Sequence, residues 1–270
     1  MGIIKIMNVL ESVVLGLTQG LTEFIPISSS GHLVIMQQLF SGASDHLFLE
    51  FINIGTLLAL LVFYRKKIVR IIRDIIVNKQ YRLARNILLT SIPAGVVGYL
   101  LADFIGESSF FGSLVVVTIT LALVGTLMIV LERLPKLTKK ETGEELPAGR
   151  ALAVGLAQMV ALIPGVSRSG STIIMGRFMG LSPAAAAEYS FLASVPIMLG
   201  VTAKVFLGAD DRSYFIEHMP MLIVGNVVAF VSGLLAIGFL MRYLSRHSLA
   251  VFGWYRVGLA GVLAVFLLVQ

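Results

Sequence analysis

Long apolar stretches, separated by short polar segments, make up most of the chain. A transmembrane helix needs about 20 consecutive and mostly apolar residues, and several stretches approach or reach that length with few charges inside them. They are Leu47 to Tyr64, Asn86 to Ile105, Ser113 to Glu132, Ala184 to Leu207, Met219 to Leu240 and Leu249 to Val269. This pattern predicts an all-α membrane protein with about six transmembrane helices.

Two further stretches have a different pattern. Val9 to Phe40 and Leu152 to Gly180 are apolar at both ends, but Pro, Gly and Ser interrupt each of them in the middle. Backbone that is not helical is tolerated at membrane depth only where protein buries it or where it lines a wet cavity. We therefore expect two broken, re-entrant helical hairpins whose breaks face each other across a site.

The second interrupted stretch repeats the first at a constant offset of 139 residues. Gly16, Gln19, Ser28, Ser30 and Gly31 recur as Gly155, Gln158, Ser167, Ser169 and Gly170, without a gap. Each copy then contains one hairpin and three spans, and an odd number of crossings inserts the second copy upside down. The sequence predicts an inverted repeat, with copies at about residues 1–135 and 148–270 of a single membrane domain, 1–270.

The distribution of charge predicts the orientation in the membrane. Basic residues are concentrated between Arg65 and Arg85, a segment that the positive-inside rule assigns to the cytoplasm. If successive spans cross the membrane in alternating directions from that segment, the linker 133–149 is cytoplasmic and the carboxyl terminus is outside. This arrangement places Lys136, Lys139, Lys140, Arg242 and Arg246 inside, and Asp210, Asp211 and Glu217 outside.

Composition excludes several classes of protein. Charged residues make up 13% of the chain and hydrophobic residues 57%, whereas soluble domains carry about 25% charged residues. The chain has no cysteine, so disulfides, thiolate catalysis and a Cys-ligated zinc site are excluded. Its net charge of +6 matters through its placement in loops, and no nucleic-acid partner is expected. No removable signal peptide is expected either, because Glu11 interrupts the first apolar stretch.

The first break carries side chains that are costly to bury in a membrane. Gln19 and Glu23 are four residues apart, so a helix presents both on one face. An intramembrane carboxylate needs a partner, a metal ion or water, which makes Glu23 either a functional residue or a structural hydrogen-bond partner. His32, in the helix expected to begin near Gly31, is either structural or able to exchange a proton.

The three serines of the first break, Ser28, Ser29 and Ser30, precede that helix. Serine is favoured as the N-cap of a helix, and we expect at least one of the three to be a cap. Hydroxyl and backbone N–H groups at a helix start also form anion-binding sites. The segment therefore predicts a capped helix start that can receive an anion.

The second break contains the strongest local signal, an arginine among hydroxyls and glycines. Arg168 is flanked by Gly165, Ser167, Ser169, Gly170, Ser171 and Thr172. Its guanidinium stays charged and its planar fork matches phosphate oxygens, so its burial without an anionic partner would be prohibitive. The partner is either an anionic ligand or a structural salt bridge to Glu23 or Glu188.

Weaker candidates lie within the spans. Glu50 and Asn53 occur early in the first span, and Glu188 and Tyr189 occupy the corresponding span of the second copy. We expect these four residues to support the site without forming it. Tyr255 fits an aromatic belt at the membrane interface.

Both breaks resemble the motifs of the undecaprenyl-diphosphatase family, the bacitracin-resistance type of integral membrane phosphatase. The first family motif is Glu/Gln-x-x-x-Glu followed by Pro-x-Ser-Ser-x-Gly-His, and the second is Pro-Gly-x-Ser-Arg-Ser-Gly-x-Thr. The first is matched by Gln19, Glu23, Pro26, Ser28, Ser29, Gly31 and His32, and the second by Pro164, Gly165, Ser167, Arg168, Ser169, Gly170 and Thr172. The resemblance covers nearly the whole chain.

The resemblance implies that the chain hydrolyses undecaprenyl diphosphate, or another polyprenyl diphosphate, to the monophosphate and inorganic phosphate. The site would open to the outer face of the plasma membrane, and the reaction would recycle the lipid carrier of cell-wall glycans and confer bacitracin resistance. Dependence on Mg²⁺ or Ca²⁺ comes with the family, and Glu23 would be a metal ligand. Gln19 stands where many members carry Glu, and Leu49 where some do, so a second carboxylate ligand is in doubt.

The resemblance also implies residue roles. Glu23, Ser29, His32 and Arg168 would be catalytic, with Arg168 stabilising charge on the phosphoryl oxygens. Either Ser29 attacks while His32 or Glu23 takes its proton, or water held by Glu23 attacks directly. The substrate-binding residues would be Gln19, Ser28, Ser30, Ser167, Ser169, Gly170 and Thr172.

A secondary transporter or lipid flippase is the alternative function, because inverted repeats with broken helices at mid-membrane are the usual transporter architecture. Release of inorganic phosphate distinguishes the two functions. The expected partners are the polyprenyl diphosphate and membrane lipids. The small residues Ala184 to Ala187 would pack spans within one chain or between two chains of a homodimer.

Overall fold

The computed structural model describes residues 8–40, 46–134, 142–207 and 214–269, and these ranges contain helices and no β-strand. In chain order the α-helices are α1 (Val9–Phe24), α2 (Ser29–Leu39), α3 (His46–Phe63), α4 (Arg65–Ile76), α5 (Arg82–Leu100), α6 (Ala102–Glu107), α7 (Leu114–Arg133), α8 (Ala148–Val160), α9 (Arg168–Phe178), α10 (Pro183–Leu207), α11 (Met219–Leu244) and α12 (Ala250–Val269). Short 3₁₀ turns cover Ser109–Gly112 and Gly143–Glu145, and a helical turn covers 214–217.

The predicted spans are present as helices. Five of them, α5, α7, α10, α11 and α12, are long and apolar enough to cross a membrane. A sixth crossing is counted if α3 and α4 form one broken span, since the pair is bent by 72° at the break. The prediction of an all-helical membrane protein with about six spans is therefore confirmed. Three boundaries differ by four residues or more, because α5 begins at Arg82 and ends at Leu100, where the short helix α6 follows it, and α11 ends at Leu244.

The basic segment after the first span is not a loop but the helix α4. Its charged side chains alternate with apolar ones at helical spacing, and none of its residues is buried. Ile68 and Ile71 pack against the core, whereas Val69, Ile72 and Ile76 are exposed. A helix with a strongly basic face and exposed apolar side chains is typical of one that lies in the membrane interface.

Two basic residues form ion pairs with carboxylates at the end of the bundle where α4 lies. Lys67 on α4 pairs with Glu144 and with Glu188, the second at 3.2 Å between Nζ and Oε1. Burial alone lowers the pKa of Lys67, but the two carboxylates raise it above its ordinary value, so the lysine stays charged. Arg177 Nη2 similarly lies 3.4 Å from Glu132 Oε2. The expectation that Glu188 supports the site is wrong, because its carboxylate is held by Lys67 at this end of the bundle.

Tyr189, its neighbour, also serves packing. The Tyr189 hydroxyl donates to the carbonyl of Asn86 at 2.9 Å and lies 2.7 Å from Thr90 Oγ1, which joins α10 to α5.

Some of the charges that predict the orientation lie outside the described residues. They are Lys136, Lys139, Lys140, Asp210 and Asp211, together with most of the linker segment before residue 142.

The long helices pack in matched sets. Helix α1 packs on α11 and α8 packs on α5, while α11 also contacts α3 and α5 also contacts α10. The 139-residue offset relates α1 to α8, α3 to α10 and α5 to α11, so each of these contacts has its counterpart in the other half. Helices α7 and α12 correspond to each other and pack together.

Small residues allow the closest of these approaches. A Cβ atom at Gly20 of α1 would lie 2.6 Å from the carbonyl oxygen of Ala229 on α11 and would also overlap the Ser232 hydroxyl. At the matching contact in the other half, a Cβ atom at Gly155 would lie 2.8 Å from the carbonyl oxygen of Leu89. Helices in lipid associate through such close backbone contacts, because no hydrophobic driving force joins them.

Replacement of Gly20 by leucine is expected to destabilise the protein. The new side chain meets backbone that cannot move without separating α1 from α11, so we expect a loss of about 1–3 kcal/mol or more. The measurement is the thermal midpoint of detergent-purified protein, followed by size-exclusion chromatography. Gly258→Leu is the matched control, because a Cβ atom there would meet no described residue within 4 Å beyond its own stretch of helix. Equal midpoints for the two variants would contradict this packing.

Candidate active site

The two breaks begin their second helices in the same way. Ser28 caps α2 and accepts a hydrogen bond from the Gly31 N–H at 3.2 Å. Ser167 caps α9 and accepts one from the Gly170 N–H at 3.0 Å. Both capping serines have positive φ, 77° and 78°, an uncommon conformation for a residue other than glycine. Such a conformation persists where the surrounding contacts over-determine it, and it occurs often at functional sites.

Hydroxyl pairs reinforce each turn. Ser28 Oγ lies 3.3 Å from Ser30 Oγ, and Ser167 Oγ lies 3.2 Å from Ser169 Oγ. In the second break a glycine is required two residues before the capping serine, since Gly165 has a φ of 84° and a Cβ atom there would lie 3.0 Å from the Val117 backbone. The sequence prediction that a serine caps the helix after the first break is correct, and the serine cap of α9 is an additional finding.

An ion pair joins the two breaks. Arg168 Nη2 lies 2.5 Å from Glu23 Oε1, and the two side chains are only 17% and 13% exposed. Ser29 Oγ donates to the other carboxylate oxygen, Oε2, at 2.5 Å. Ser169 Oγ donates to the backbone carbonyl of Glu23 at 3.2 Å. Residues from both hairpins therefore converge on Glu23.

A pair of amide side chains links the carboxylate to α3. Gln19 is almost fully buried, and its Nε2 donates to Glu23 Oε2 at 3.2 Å and to Asn53 Oδ1 at 2.6 Å. Asn53 is fixed in turn by its own bond to the carbonyl of Leu49 on α3. Asn53 thus supports the site as expected, and it links the Gln19–Glu23 helix face to α3.

Thr172 has a different position from the other predicted substrate-binding residues. Its Oγ1 donates to the Arg168 carbonyl at 2.8 Å and lies 2.5 Å from Ser190 Oγ on α10. These bonds fasten α9 to α10. Thr172 therefore holds the helix that carries Arg168.

His32 lies beside the first break, but its ring nitrogens are already engaged. Nδ1 lies 2.7 Å from the Ser28 carbonyl oxygen, which can only accept, so Nδ1 carries a proton. Nε2 lies 2.7 Å from the Tyr255 hydroxyl, and the two rings stack with centroids 5.8 Å apart. Of the two proton acceptors proposed for Ser29, the geometry favours Glu23. The sequence assigned Tyr255 to an aromatic belt at the membrane interface. In the structure, Tyr255 contacts His32.

Arg256 is a further residue at the breaks, and the sequence interpretation missed it. It is fully buried on α12 and donates hydrogen bonds to backbone carbonyls of both breaks. The available signal was its position, since it is the one charged residue in the apolar stretch from Ala250 to Val269. An ionisable residue within a span is a functional candidate by default.

The arrangement is suited to an anion. Arg168 Nη1 is buried and has no hydrogen-bond partner among the described residues. Helices α2 and α9 both begin at the breaks, and the N-terminus of a helix carries partial positive charge and free N–H groups. A hydroxyl paired with a carboxylate beside a guanidinium can support attack on a phosphoryl group.

The donor set for a metal ion is small. Among the residues that the structure describes, no three His, Cys, Asp or Glu side chains lie together. Glu23 supplies one carboxylate, and its oxygens are bonded to Arg168, Ser29 and Gln19. These residues fit a cation that a phosphate ligand brings with it, since Mg²⁺ is often held by one or two carboxylates together with substrate phosphates.

Comparison with known proteins extends over almost the whole chain. The model of the family described as bacitracin resistance protein BacA matches residues 12–262. An undecaprenyl-diphosphatase of Pseudomonas aeruginosa PAO1 is 40% identical over 253 residues, covering 92% of this chain and 89% of the relative. Undecaprenyl-diphosphatase 1 of Clostridioides difficile is 39% identical over 272 residues, covering 98% of both chains. An undecaprenyl-diphosphatase of Nitrosomonas europaea is 38% identical over 251 residues, covering 92% and 91%. The chain therefore belongs to the bacitracin resistance protein BacA family.

Proposed function

We propose that this chain is a multi-pass membrane phosphatase that hydrolyses undecaprenyl diphosphate to undecaprenyl phosphate and inorganic phosphate. The observation that carries the proposal is the convergence of Ser29 and Arg168 on the carboxylate of Glu23, at distances of 2.5 Å. The relatives at about 40% identity are undecaprenyl-diphosphatases. Release of the terminal phosphate regenerates the monophosphate carrier, and the matching family is described as a bacitracin resistance protein.

The mechanism begins with the positions of the phosphate groups. The diphosphate binds where α2 and α9 begin, and Arg168 Nη1, which has no partner in the described part of the chain, donates to its terminal phosphoryl oxygens. Ser29 Oγ attacks the terminal phosphorus and passes its proton to Glu23 Oε2. The bond to the bridging oxygen breaks, and undecaprenyl phosphate leaves with the proton that Glu23 held. Water then attacks the phosphoserine, Glu23 takes its proton and returns it to Ser29 Oγ as the serine–phosphorus bond breaks, and inorganic phosphate is released.

Charge placement explains the division of roles between Glu23 and Arg168. The guanidinium beside Oε1 compensates the charge of the Glu23 carboxylate, the group that accepts the Ser29 proton. The same guanidinium stabilises the charge that develops on the phosphoryl oxygens. In the alternative form of this mechanism, Glu23 activates a water molecule that attacks phosphorus directly.

The site is proposed to open to the outer face. Asn53, which bonds to Gln19, lies seven residues after the start of α3, or about 10 Å from the end opposite α4. Arg168 Nη2 contacts Met198 Sδ at 3.9 Å, and Met198 lies nine residues before the end of α10, or about 14 Å from it. Since basic α4 favours the cytoplasmic side, both measures support a site in the outer half of the membrane.

The inverted repeat is part of the proposal. Similar φ values at Ser28 and Ser167, similar capping bonds and the matched helix pairs support two copies of one structural unit, related by the 139-residue offset. The copies would form one domain, with α1–α2 and α8–α9 as re-entrant hairpins. A homodimer stays a prediction.

Mg²⁺ or Ca²⁺ is proposed to enter with the diphosphate. Glu23 would hold it, and the side-chain oxygen of Gln19 is a second candidate ligand. A bound cation would neutralise charge on the phosphate oxygens, which is also the role of Arg168.

Arg168→Ala is expected to lower the rate of phosphate release by about 100- to 1,000-fold or more, because it removes the cation that binds the phosphoryl oxygens. The measurement is inorganic phosphate release from undecaprenyl diphosphate by purified protein in detergent. Arg177→Ala is the matched control, since it removes an arginine from the other end of the same helix. Full activity of Arg168→Ala would overturn the site assignment, and a folded parent protein that releases no phosphate would favour the transporter.

Ser29→Ala is expected to lower phosphate release by at least about 1,000-fold, as loss of a covalent nucleophile does. Ser12→Ala on α1 removes a hydroxyl from the same hairpin away from the break and should have near-parental activity. A phosphoserine trapped by acid quench and located by mass spectrometry is the direct test. If Ser29→Ala keeps substantial activity, water attack replaces the covalent mechanism.

Gln19→Glu is expected to lower the Mg²⁺ concentration that gives half-maximal activity by about tenfold, because a second carboxylate would adjoin Glu23. The measurement is phosphate release after chelation, followed by titration with Mg²⁺ and with Ca²⁺. An unchanged requirement would remove residue 19 from the metal site, and full activity of both proteins in chelator would remove the metal from the proposal.

A further inference from the structure

Arg256 is an unusual buried cation. Its side chain is fully buried on α12, yet no carboxylate pairs with it among the described residues. Burial of an unpaired charge in a membrane protein is costly, so a residue of this kind requires compensation by other polar groups. Backbone carbonyl oxygens provide that compensation here.

The carbonyls that Arg256 binds belong to both breaks. Nη1 donates to the Pro26 carbonyl at 3.2 Å, and Nη2 donates to the carbonyls of Gly165 and Val166, the second at 3.0 Å. Pro26 and Gly165 are related by the 139-residue offset. One guanidinium therefore joins the same position of the two turns.

The surrounding residues leave room for this contact. A Cβ atom at Gly170 would lie 3.1 Å from Arg256 Nη1, and a Cβ atom at Gly125 of α7 would lie 2.9 Å from Arg256 Cβ. Both glycines thus permit the side chain to lie between α7 and the start of α9. The sequence predicts that Gly170 binds substrate. In the structure, its lack of a side chain leaves room for the Arg256 guanidinium.

The contact is close to the reacting groups along the chain. Pro26 lies three residues from Glu23 and three from Ser29, and Val166 lies two residues from Arg168. The intervening Ser28 and Ser167 hold positive φ values, which neighbouring contacts must maintain. A shift of either turn would change the distance between Ser29 Oγ, the Glu23 carboxylate and the Arg168 guanidinium.

We propose that Arg256 is a positioning residue that fixes the two breaks relative to each other, so that Ser29 and Arg168 meet at Glu23. Arg256 acts through the carbonyls of Pro26, Gly165 and Val166. This inference rests on the proposed phosphatase function. It concerns a residue that neither family motif contains.

Three variants separate positioning from general stability. Arg256→Met keeps the volume and removes every donor, while Arg256→Lys keeps the charge and some of the donors. Arg177→Met is the matched control, because Arg177 is also a largely buried arginine that bonds a backbone carbonyl, that of Leu181, at the opposite end of the bundle. Each variant is assayed well below its own thermal midpoint, per folded molecule.

The expected result is a loss of kcat of about 100-fold in Arg256→Met with little change in KM, the effect of misplacing catalytic groups by about 1 Å. Arg256→Lys should recover part of that loss. Arg177→Met should lower the thermal midpoint and leave kcat unchanged. Parental kcat in folded Arg256→Met, or equal losses of kcat in the two methionine variants, would overturn the proposal.

Hydrogen exchange gives a readout that does not depend on activity. In Arg256→Met, exchange should accelerate at 24–32 and 163–171, which include the capped N–H groups of Gly31 and Gly170, whereas Arg177→Met should affect neither segment. Unchanged exchange at both breaks would refute positioning. Faster exchange together with a parent protein that releases no phosphate would retain the positioning role of Arg256 and reject the phosphatase function.

Discussion

The ion pair between Glu23 and Arg168 connects the two halves of the chain within a medium that solvates charge poorly. Burial of either charge alone would carry a large cost, and the pair is only partly satisfied, because Arg168 Nη1 has no hydrogen-bond partner among the described residues. The pairing requires the breaks of both helical hairpins to lie next to each other in the folded chain. It also requires glycine contacts close enough to bring α1 and α8 against their neighbours. The packing of the two halves therefore places a cation with a hydrogen-bond donor, Arg168 Nη1, that is free within the described residues, at the point where the two breaks meet.

Most of the fold could be predicted from sequence, because the bilayer leaves few alternatives. Apolar length identified the long helices, and interruptions by Pro, Gly and Ser identified both breaks. The basic segment after α3 was described only by its charge, although its apolar residues recur with a helical period. Its helix, α4, was therefore missed. Helix packing partners could not be predicted, since they depend on which glycine faces which carbonyl.

The site was predictable where its residues are close in sequence. Gln19 and Glu23 share a helix face, and each capping serine precedes its glycine by three residues. Contacts between distant residues were not predictable. Glu188 was expected near the site, but Lys67 holds it at the other end. Arg256 acts on carbonyl groups that every residue possesses, so no complementary side chain in the sequence indicates its partners.

The duplicated turn has an evolutionary consequence. Ser29 and Arg168 occupy equivalent positions under the 139-residue offset, and the residue equivalent to Glu23 is Leu162. On the proposed duplication, an ancestor with identical halves carried the same residue at both positions and lacked either the hydroxyl or the guanidinium. The present chemistry requires the two copies to differ at this position, since one supplies the hydroxyl and the other the guanidinium. An assembly of two identical halves would therefore lack this catalytic pair.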